Sequence, residues 1–261
     1  MNTSFLVLGT TSGCGKSFTT TSLLRFFHSK GLRAAPFKAY NLSSNYHELG
    51  EGRKMSYSTY LQTLAAEVEP LPEMNPVYVR PAGRDMELYL NGELYYTGSY
   101  RNYASLFPAV KEAALADYQW LAEQYDVIVM EGSGSPAEIN CYDRDLANRV
   151  MAESVRPFSI LVGDIDPGGV FASLHGTLEL MPPSERETVG GFIINRYSGD
   201  REVLREGIEF LEQRHGIPCL GVVPWLTESR FAPEDEASRS AYYARVEALT
   251  AESCDFASLL R

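Results

Sequence analysis

A glycine-rich segment near the start of the chain has the residue types of a phosphate-binding loop. In the stretch LGTTSGCGKS, Gly15 precedes Lys16 and Ser17, but the glycine usually found five positions earlier is Thr10, and Gly9 lies six positions before Gly15. Backbone N–H groups of such a loop can surround phosphate oxygens, while Lys16 reaches the terminal phosphates and Ser17 ligates Mg²⁺. The alternative is a strand-to-helix turn with an incidental lysine. We predict nucleotide binding by Gly9, Thr11, Ser12, Gly13, Cys14, Gly15, Lys16 and Ser17.

The segment DVIVMEGSGS places an acidic residue, Glu131, at the end of an apolar run. Ligands of parallel sheets bind at the carboxyl ends of the strands, where an acid can hold Mg²⁺ beside bound phosphates. We therefore predict that Ser17 and Glu131 form a magnesium site. A capping acid at a strand end is the alternative for Glu131.

The elements that must position these residues alternate along the chain. Short apolar runs rich in β-branched residues predict six buried strands, at residues 4–9, 33–40, 125–132, 158–166, 189–196 and 218–225. Amphipathic stretches predict helices near residues 16–30, 57–67, 101–124, 142–155, 169–181 and 201–215. This alternation predicts a doubly wound α/β fold, with a mostly parallel sheet and helices on both faces.

Two segments depart from the alternation. In MELYLNGELYY (86–96), Asn91-Gly92 lies between alternating apolar residues and predicts a small hairpin insertion beside the sheet. The acidic stretch APEDEASRS (232–240) predicts a connection before a last helix. We therefore expect one domain over residues 1–261, whose residues 232–261 are an acidic connection and a closing helix.

The composition excludes several classes of protein. Of the 261 residues, 44% are hydrophobic and 22% charged, as in an ordinary globular protein with a full core. A net charge of −11 argues against a general nucleic-acid binder, which needs a surplus of Lys and Arg. The four cysteines form no CxxC pair, as in reducing compartments, and no apolar run approaches the ~20 residues of a membrane helix. We expect a cytoplasmic protein that binds neither nucleic acid nor membranes.

Several motifs together resemble the synthetase domain of the cobyric acid synthase family, which belongs with the dethiobiotin synthetase and cobyrinic acid diamide synthase group of ATP-dependent ligases. They are, in chain order, GTTSGCGKS, PFKAYN, VEPLPEMNPV, EGSGSPAEIN, GDIDPGGVFASLHGTLEL, GGFIINRYSGDR and GIPCLGVVPWL. The resemblance covers about residues 4–226. It implies a dethiobiotin-synthetase-like P-loop fold, ATP and Mg²⁺ as cofactors, phosphorylation of a small-molecule carboxylate, and capture of the acyl phosphate by ammonia. The early first glycine is the form that this group has.

The resemblance also implies roles for single residues. Lys16 neutralises the γ-phosphate, and Lys38 of PFKAYN bridges the transferring phosphate and the substrate carboxylate; a lysine that only extends from a strand end is the alternative for Lys38. Asn195 is expected near the adenine base. The alternative is a buried asparagine at a strand end that is hydrogen-bonded to the backbone, which would look identical in the sequence. The remaining substrate contacts are Asn41 of the same motif and Ser135, Glu138 and Asn140 of SPAEIN, for which a capped helix start is the alternative.

Three positions differ from the family where the substrate is expected to bind. Counted without gaps from PFKA, Lys54 stands where the family has an acid that helps to hold Mg²⁺. Either Glu48 or Glu51 replaces that acid, or one metal contact is lost, or Lys54 binds phosphate or a substrate acid. Tyr40 replaces a glutamine of the family motif, and Pro167 replaces an arginine.

The glutaminase domain of the family is not recognisable after the last predicted helix. Cys254 lies near the end of the sequence, and His175 and His215 belong to synthetase-like segments, so we expect no Cys-His nucleophile. The main prediction is a stand-alone amide-forming ligase that uses free ammonia, a separate glutaminase subunit or another amine. The alternatives are a non-catalytic nucleotide-binding relative that acts as a switch or partner subunit, and a ring-closing ligase like dethiobiotin synthetase. A homodimer is compatible with each of them.

Overall fold

The computed structural model describes residues 3–226 and 235–260, whose strands form two sheets and a short ribbon. In chain order the strands are β1 (Thr3–Gly9), β2 (Ala34–Phe37), β3 (Tyr40–Leu42), β4 (Tyr46–Glu48), β5 (Lys54–Ser56), β6 (Val77–Ala82), β7 (Asp85–Leu90), β8 (Glu93–Ser99), β9 (Val127–Glu131), β10 (Phe158–Asp164), β11 (Val189–Tyr197) and β12 (Cys219–Pro224). Six of them form the main sheet in the order β12-β11-β10-β1-β9-β2, and all neighbours run parallel. Each predicted apolar run supplies one of these strands.

Helices cover both faces of the main sheet. They are α1 (Lys16–Ser29), α2 (Tyr57–Ala66), α3 (Tyr103–Gln124), α4 (Met151–Val155), α5 (Val170–Leu180), α6 (Pro183–Arg186), α7 (Arg205–His215) and α8 (Glu236–Ser253). Leu24 and Phe27 of α1 belong to one buried cluster, whereas Val110 of α3, Leu174 of α5 and Leu211 of α7 belong to the other. The doubly wound α/β prediction is confirmed.

The first strand shows why the sheet needs both layers. Leu6 and Leu8 lie in one buried cluster, and Phe5 and Val7 lie in the other. Successive side chains of a strand point to opposite faces, so a strand that is apolar at every position must be covered on both sides.

The chain between β2 and α3 forms a second sheet, which is larger than the predicted hairpin. Its order is β3-β6-β7-β8, with β3 and β6 parallel and the other pairs antiparallel. The hairpin itself is confirmed, because Asn91 and Gly92 have φ values of 49° and 82°, the left-handed pair that a two-residue type I′ turn requires. The β4 and β5 strands form a separate antiparallel ribbon.

The predicted strand 33–40 was too long, because the chain leaves the main sheet after Phe37. The backbone N–H of Lys38 donates to the carbonyl of Met74 at 2.8 Å, and the chain then continues into β3 of the second sheet. Lys38 therefore lies at the carboxyl end of β2, at the junction of the two sheets.

The predicted acidic connection overlaps the last helix. Helix α8 begins at Glu236, and the side chain of Asp235 caps it by accepting a hydrogen bond from the N–H of Ser238 at 2.8 Å. Residues 232–234 of that stretch lie outside the described residues. Within the described ranges, none of the helices combines the length and the apolar character that crossing a bilayer requires.

Candidate functional site

The glycine-rich loop joins β1 to α1, and close packing accounts for two of its glycines. A Cβ at Gly9 would collide with Cys14 Sγ and lie 2.8 Å from Cγ of Lys16. Gly15 has a φ of 119°, and a Cβ there would collide with the side-chain amide of Asn195. The side chains of Cys14 and Lys16, which pack against Gly9, therefore leave no room for a Cβ at this early glycine.

Lys16 is buried in the loop with carbonyl oxygens as its hydrogen-bond acceptors. It is 7% exposed, and its Nζ donates to the carbonyls of Thr11 at 2.9 Å and of Gly134 at 2.6 Å. Burial lowers the pKa of Lys16, an effect that the nearby charge of Glu131 opposes. A phosphate would supply the negative charge that the two carbonyls lack, at the positive end of helix α1.

Glu131 accepts hydrogen bonds from three side chains at the end of β9. Lys38 Nζ donates to its Oε1 at 2.6 Å, Ser17 Oγ donates to the same atom at 3.0 Å, and Gln62 Nε2 donates to Oε2. Burial alone would raise the pKa of Glu131, but the positive charge of Lys38, with hydrogen bonds from Lys38 and Gln62, holds it below its ordinary value. The carboxylate is thus kept ionised beside the loop serine.

The register of the main sheet explains this convergence. Phe37 on β2 is level with Met130 on β9, so the next residues, Lys38 and Glu131, leave the sheet side by side. Val7 on β1 is level with Glu131, which places the carboxylate next to the start of the loop. The carboxyl ends of three neighbouring strands therefore build the site.

A cavity of about 380 Å³ opens at this edge of the sheet. Its walls include residues of the loop, of the β9 end and of the β11 end, among them Ser12, Gly13, Gly15, Lys16, Ser17, Lys38, Asn41, Glu131, Gly134, Asn195 and Arg196. Gly9 and Cys14 pack beneath the loop, with Cys14 fully buried.

Asn195 connects the end of β11 to the loop. Its Nδ2 donates to the carbonyl of Cys14 at 2.9 Å, which is the arrangement of a strand-end asparagine satisfied by backbone. Its neighbour Arg196 pairs with Asp164 at 2.5 Å and stacks over Trp225. Asn195 and Arg196 both line the cavity. Asn195, the residue expected near the adenine base, therefore lies at the site and also holds the glycine-rich loop in place.

The predicted substrate residues separate into two groups. Asn41 is buried and lines the cavity with Lys38. Ser135, Glu138 and Asn140 lie on the loop after β9, where the N–H of Ser135 donates to Glu138 Oε1 at 3.1 Å and the side chains of Glu138 and Asn140 are exposed. This contact closes a turn and not the helix start that was the alternative, and the role of these three residues in substrate binding stays a prediction.

The structure places Lys54 in the inserted region, away from the contacts of Glu131. Its Nζ lies 4.6 Å from the ring centroid of Tyr46 and 5.2 Å from that of Tyr89, and it donates to the Tyr89 hydroxyl at 3.3 Å. Of the two proposed substitute acids, Glu48 lies opposite Lys54 in the backbone register of the β4–β5 ribbon, and Glu51 is exposed beside Arg53. The role of Lys54 in binding phosphate or a substrate acid stays a prediction.

Two residues at the site were missed by the sequence analysis. Gln62, on α2, holds the second oxygen of Glu131, and its only sequence signal is a polar residue among the buried positions of that helix. Asn148 is buried below the loop after β9, where it accepts from the N–H of Ser133 and donates to its carbonyl at 2.7 Å. The sequence signal for Asn148 is equally weak, because the sequence does not show whether an asparagine side chain is buried or exposed.

The residues present suit a magnesium ion. Mg²⁺ prefers oxygen ligands, and Ser17 Oγ and Glu131 Oε1 lie 3.0 Å apart at the cavity. Lys38 shares the same carboxylate oxygen, so a cation bound there requires the lysine to shift toward the cavity. Ser17 and Glu131 would hold the ion, and its chemistry would be to neutralise phosphate charge.

The fold and the loop define a P-loop nucleotide-binding protein: a parallel sheet, a glycine-rich turn after its first strand, and a strand-end carboxylate bonded to the loop serine. The family model described as "CobQ/CobB/MinD/ParA nucleotide binding domain" (CbiA) matches residues 5–238. The chain belongs to this family.

The chain is also similar to named proteins. It is 41% identical over 248 residues to a cobyric acid synthase of Klebsiella pneumoniae subsp. pneumoniae, a match that covers 95% of this chain and 49% of that protein. It is 44% identical over 227 residues to a cobyric acid synthase of Salmonella gallinarum, covering 87% of this chain and 45% of that protein. The chain thus spans about half the length of these relatives. A solved structure of the signal recognition particle receptor FtsY from Elizabethkingia anophelis matches with a TM-score of 0.49 and 14% identity, over 93% of this chain and 65% of that one.

Proposed function

We propose that the chain is an ATP- and Mg²⁺-dependent ligase that converts a substrate carboxylate into an amide. The observation that supports it best is the meeting of two buried ammonium groups, Lys16 and Lys38, with the ionised Glu131 at a phosphate-type loop. A carboxylate is a poor electrophile, and phosphorylation gives it a leaving group. Such a reaction needs positive charge and positioning more than acid-base chemistry.

Each side chain has a part in this proposal. Lys16 holds the terminal phosphates, since its present acceptors are neutral carbonyls that a phosphate can replace. Lys38 moves from Glu131 to the transferring phosphoryl group and orients the substrate carboxylate. Ser17 and Glu131 would hold Mg²⁺, which would neutralise phosphate charge.

The proposed reaction has two steps. A substrate carboxylate oxygen attacks the γ-phosphorus, the bond to the ADP oxygen breaks, and an acyl phosphate forms. Ammonia then attacks the acyl carbon, inorganic phosphate leaves and the nitrogen loses a proton, which gives the amide. The cobyric acid synthase relatives favour a corrinoid side-chain carboxylate as the acceptor. The four cysteines are free thiols, which fits the proposed location in the cytoplasm.

The test is turnover with Mg²⁺ and ATP over candidate carboxylates, including corrinoids with free side-chain carboxyls, with and without ammonium. Phosphate release and product mass are measured together. We expect ammonium-dependent phosphate release and an amide product. Lys16→Ala should reduce turnover by about 10²-fold or more, since one preorganised charge contact to a reacting group has that magnitude. Lys30→Ala, at an exposed lysine of the same chain segment, is the matched control.

The nitrogen donor can be tested with the same assay. The thiols of Cys219 and Cys254 have pKa values raised by burial to about 11 and about 12, which makes them poor nucleophiles. We therefore expect this chain alone to use ammonium and not glutamine, and a separate glutaminase subunit to supply ammonia from glutamine. Release of glutamate from glutamine by the purified chain would contradict this.

A non-catalytic, nucleotide-binding role is the second candidate. It is favoured by one observation: both oxygens of Glu131 already accept hydrogen bonds, from Lys38, Ser17 and Gln62. Magnesium-dependent nucleotide affinity without phosphate release for any acceptor would support this candidate and contradict the ligase.

A further inference from the structure

Two histidines and a glutamate from two helices meet on one side of the molecule. His175 and Glu179 are one turn apart on α5, and His215 is the last residue of α7. His175 Nδ1 and His215 Nε2 lie 2.9 Å apart, and one ligand atom from each of the three residues lies within 4.8 Å of the other two. Residues four apart on a helix share a face, so α5 presents both of its side chains to the end of α7.

We propose that His175, Glu179 and His215 bind a divalent transition-metal ion, with Zn²⁺ as the expected ion. Imidazole nitrogens select ions of this class, whereas Mg²⁺ and Ca²⁺ prefer oxygen ligands. In a tetrahedral Zn²⁺ site with bonds of about 2.0 Å, two ligand nitrogens lie about 3.3 Å apart. The two imidazoles need to separate by only a few tenths of an ångström from their present distance, and the metal then replaces the proton that they share.

The third ligand is available for this role. Glu179 is exposed and pairs with Arg214 at 3.4 Å, with both side chains about half exposed (42% and 57%). Exposed ion pairs of this kind contribute little stability, so the carboxylate can turn from the guanidinium to a metal at small cost. The exposure of Glu179 also leaves a fourth position for water.

The cluster lies at the opposite edge of the main sheet from the glycine loop. Helix α7 ends at His215, shortly before β12 begins at Cys219, and a cavity beside the cluster is lined by Glu179, His215 and Val189, the first residue of β11. The loop, by contrast, is at the carboxyl ends of the strands. The metal would therefore join α5 to α7 and stabilise the fold, without contacting the phosphates, and this inference does not depend on the proposed ligase activity.

The first experiment measures Zn²⁺ binding to the tag-free chain by calorimetry and by metal analysis after dialysis, at pH 7.5 with excess Mg²⁺ to occupy oxygen sites. We expect one Zn²⁺ per chain. His175→Ala and His215→Ala should each weaken binding about tenfold or more, and Glu179→Gln should weaken it less. His28→Ala is the matched control, because His28 also faces a single carboxylate, Glu67 at 3.4 Å, but has no second imidazole.

A thermal unfolding series gives a second readout. At a free Zn²⁺ concentration of 100 times Kd, the Tm of the wild type should rise by about 5 to 10 °C, and the rise should vanish in the double variant His175→Ala/His215→Ala. Equal Zn²⁺ affinity and equal Tm shifts in the wild type and the double variant would overturn the proposal.

A third measurement uses the wild type alone, in case the histidine variants do not fold. Diethyl pyrocarbonate modifies free imidazoles, and mass spectrometry locates the modified residues. We expect Zn²⁺ to protect His175 and His215 and to leave the modification of His28 unchanged. If Zn²⁺ changed the modification of neither His175 nor His215, the two imidazoles would form only a hydrogen-bonded pair.

Discussion

Glu131 and Glu185 are both buried, at 2% and 0% exposure, but Glu131 lies beside positive charges and Glu185 lies mainly beside negative ones. Glu131 accepts hydrogen bonds from Lys38, Ser17 and Gln62, and its pKa is lowered despite burial. Glu185, in α6, has no hydrogen-bond partner for either carboxylate oxygen among the described residues. Burial, with repulsion from the charges of two nearby acids, raises the pKa of Glu185 to about 8.

The difference shows that burial alone does not identify a functional carboxylate. Perturbed pKa values are common at active sites, and both glutamates have one. Only Glu131 combines it with an opposite charge and with a cavity wall. The lowered pKa of Glu131 favours its ionised form, which can face a cation, whereas the raised pKa of Glu185 favours its neutral form.

The largest expected effect comes from removing the charge of Glu131. Glu131→Gln leaves the Lys38 ammonium, 6% exposed, without its carboxylate, so the free energy of unfolding should fall by about 3 to 5 kcal/mol. Urea unfolding at pH 7 measures it. The double variant Lys38→Met/Glu131→Gln is the control: its loss should be smaller than the sum of the two single losses, because the partners are coupled. Additive losses would mean that the two charges do not depend on each other.

Replacement of Glu185 should raise the free energy of unfolding, whereas replacement of Glu131 should lower it. Its folded-state pKa of about 8 lies above the ordinary value of 4.5, so the folded state holds the extra proton between these two pH values. Stability from this group is full below pH 4.5 and is lost as pH rises toward 8, with a slope of at most about 1.4 kcal/mol per pH unit. Glu185→Gln removes this loss, so the variant should exceed the wild type by about 4 kcal/mol at pH 8 and match it near pH 4.5. Chemical unfolding across that pH range is the measurement, and a constant difference would contradict the raised pKa.

A smaller effect is expected at Gln62, which binds only one oxygen of Glu131. Gln62→Met removes a hydrogen bond to a charged group but also removes an amide oxygen that has no partner among the described residues. The two changes oppose each other, so the free energy of unfolding should fall by only about 1 kcal/mol. Gln62→Glu tests the same contact through charge, since a second carboxylate beside Glu131 should destabilise the fold more at pH 7 than at pH 5. A stability loss that does not vary with pH would exclude repulsion as its cause.

The smallest effect is expected at Lys54, which lies near a third glutamate, Glu87. That carboxylate is held by Arg80 at 2.8 Å and by the Tyr89 hydroxyl at 2.6 Å, and its pKa is lowered to about 2, chiefly by the hydrogen bond from Arg80. Lys54→Met should therefore change the free energy of unfolding by less than about 1 kcal/mol and leave magnesium-dependent nucleotide affinity within about twofold. A large loss of nucleotide affinity in Lys54→Met would contradict this prediction and would indicate that Lys54 contributes to nucleotide binding.

The sequence predicts the main sheet and the core of the site because both follow from local patterns. Short apolar runs identify the six strands, the end of one of these runs identifies Glu131, and the family resemblance identifies Lys38. The second sheet was reduced to one hairpin, since β3 has three residues and pairs with β6 only in the folded chain. Gln62 and Glu185 were missed because their burial is decided by distant segments. The role of Lys54 stays a prediction, because an ungapped count matches a sequence position and does not give a contact in the folded chain.

The hydrogen bond from Asn195 to the carbonyl of Cys14 has a consequence for folding. The two residues are separated by 181 positions, and they meet only after β11 has joined β10 beside β1. Contacts between distant segments form late, because closing a long stretch of chain has a large entropic penalty. A refolding chain should regain its helical signal before it can bind nucleotide. Nucleotide present from the start should then slow unfolding without accelerating folding, because we expect the loop that binds it to form after the transition state.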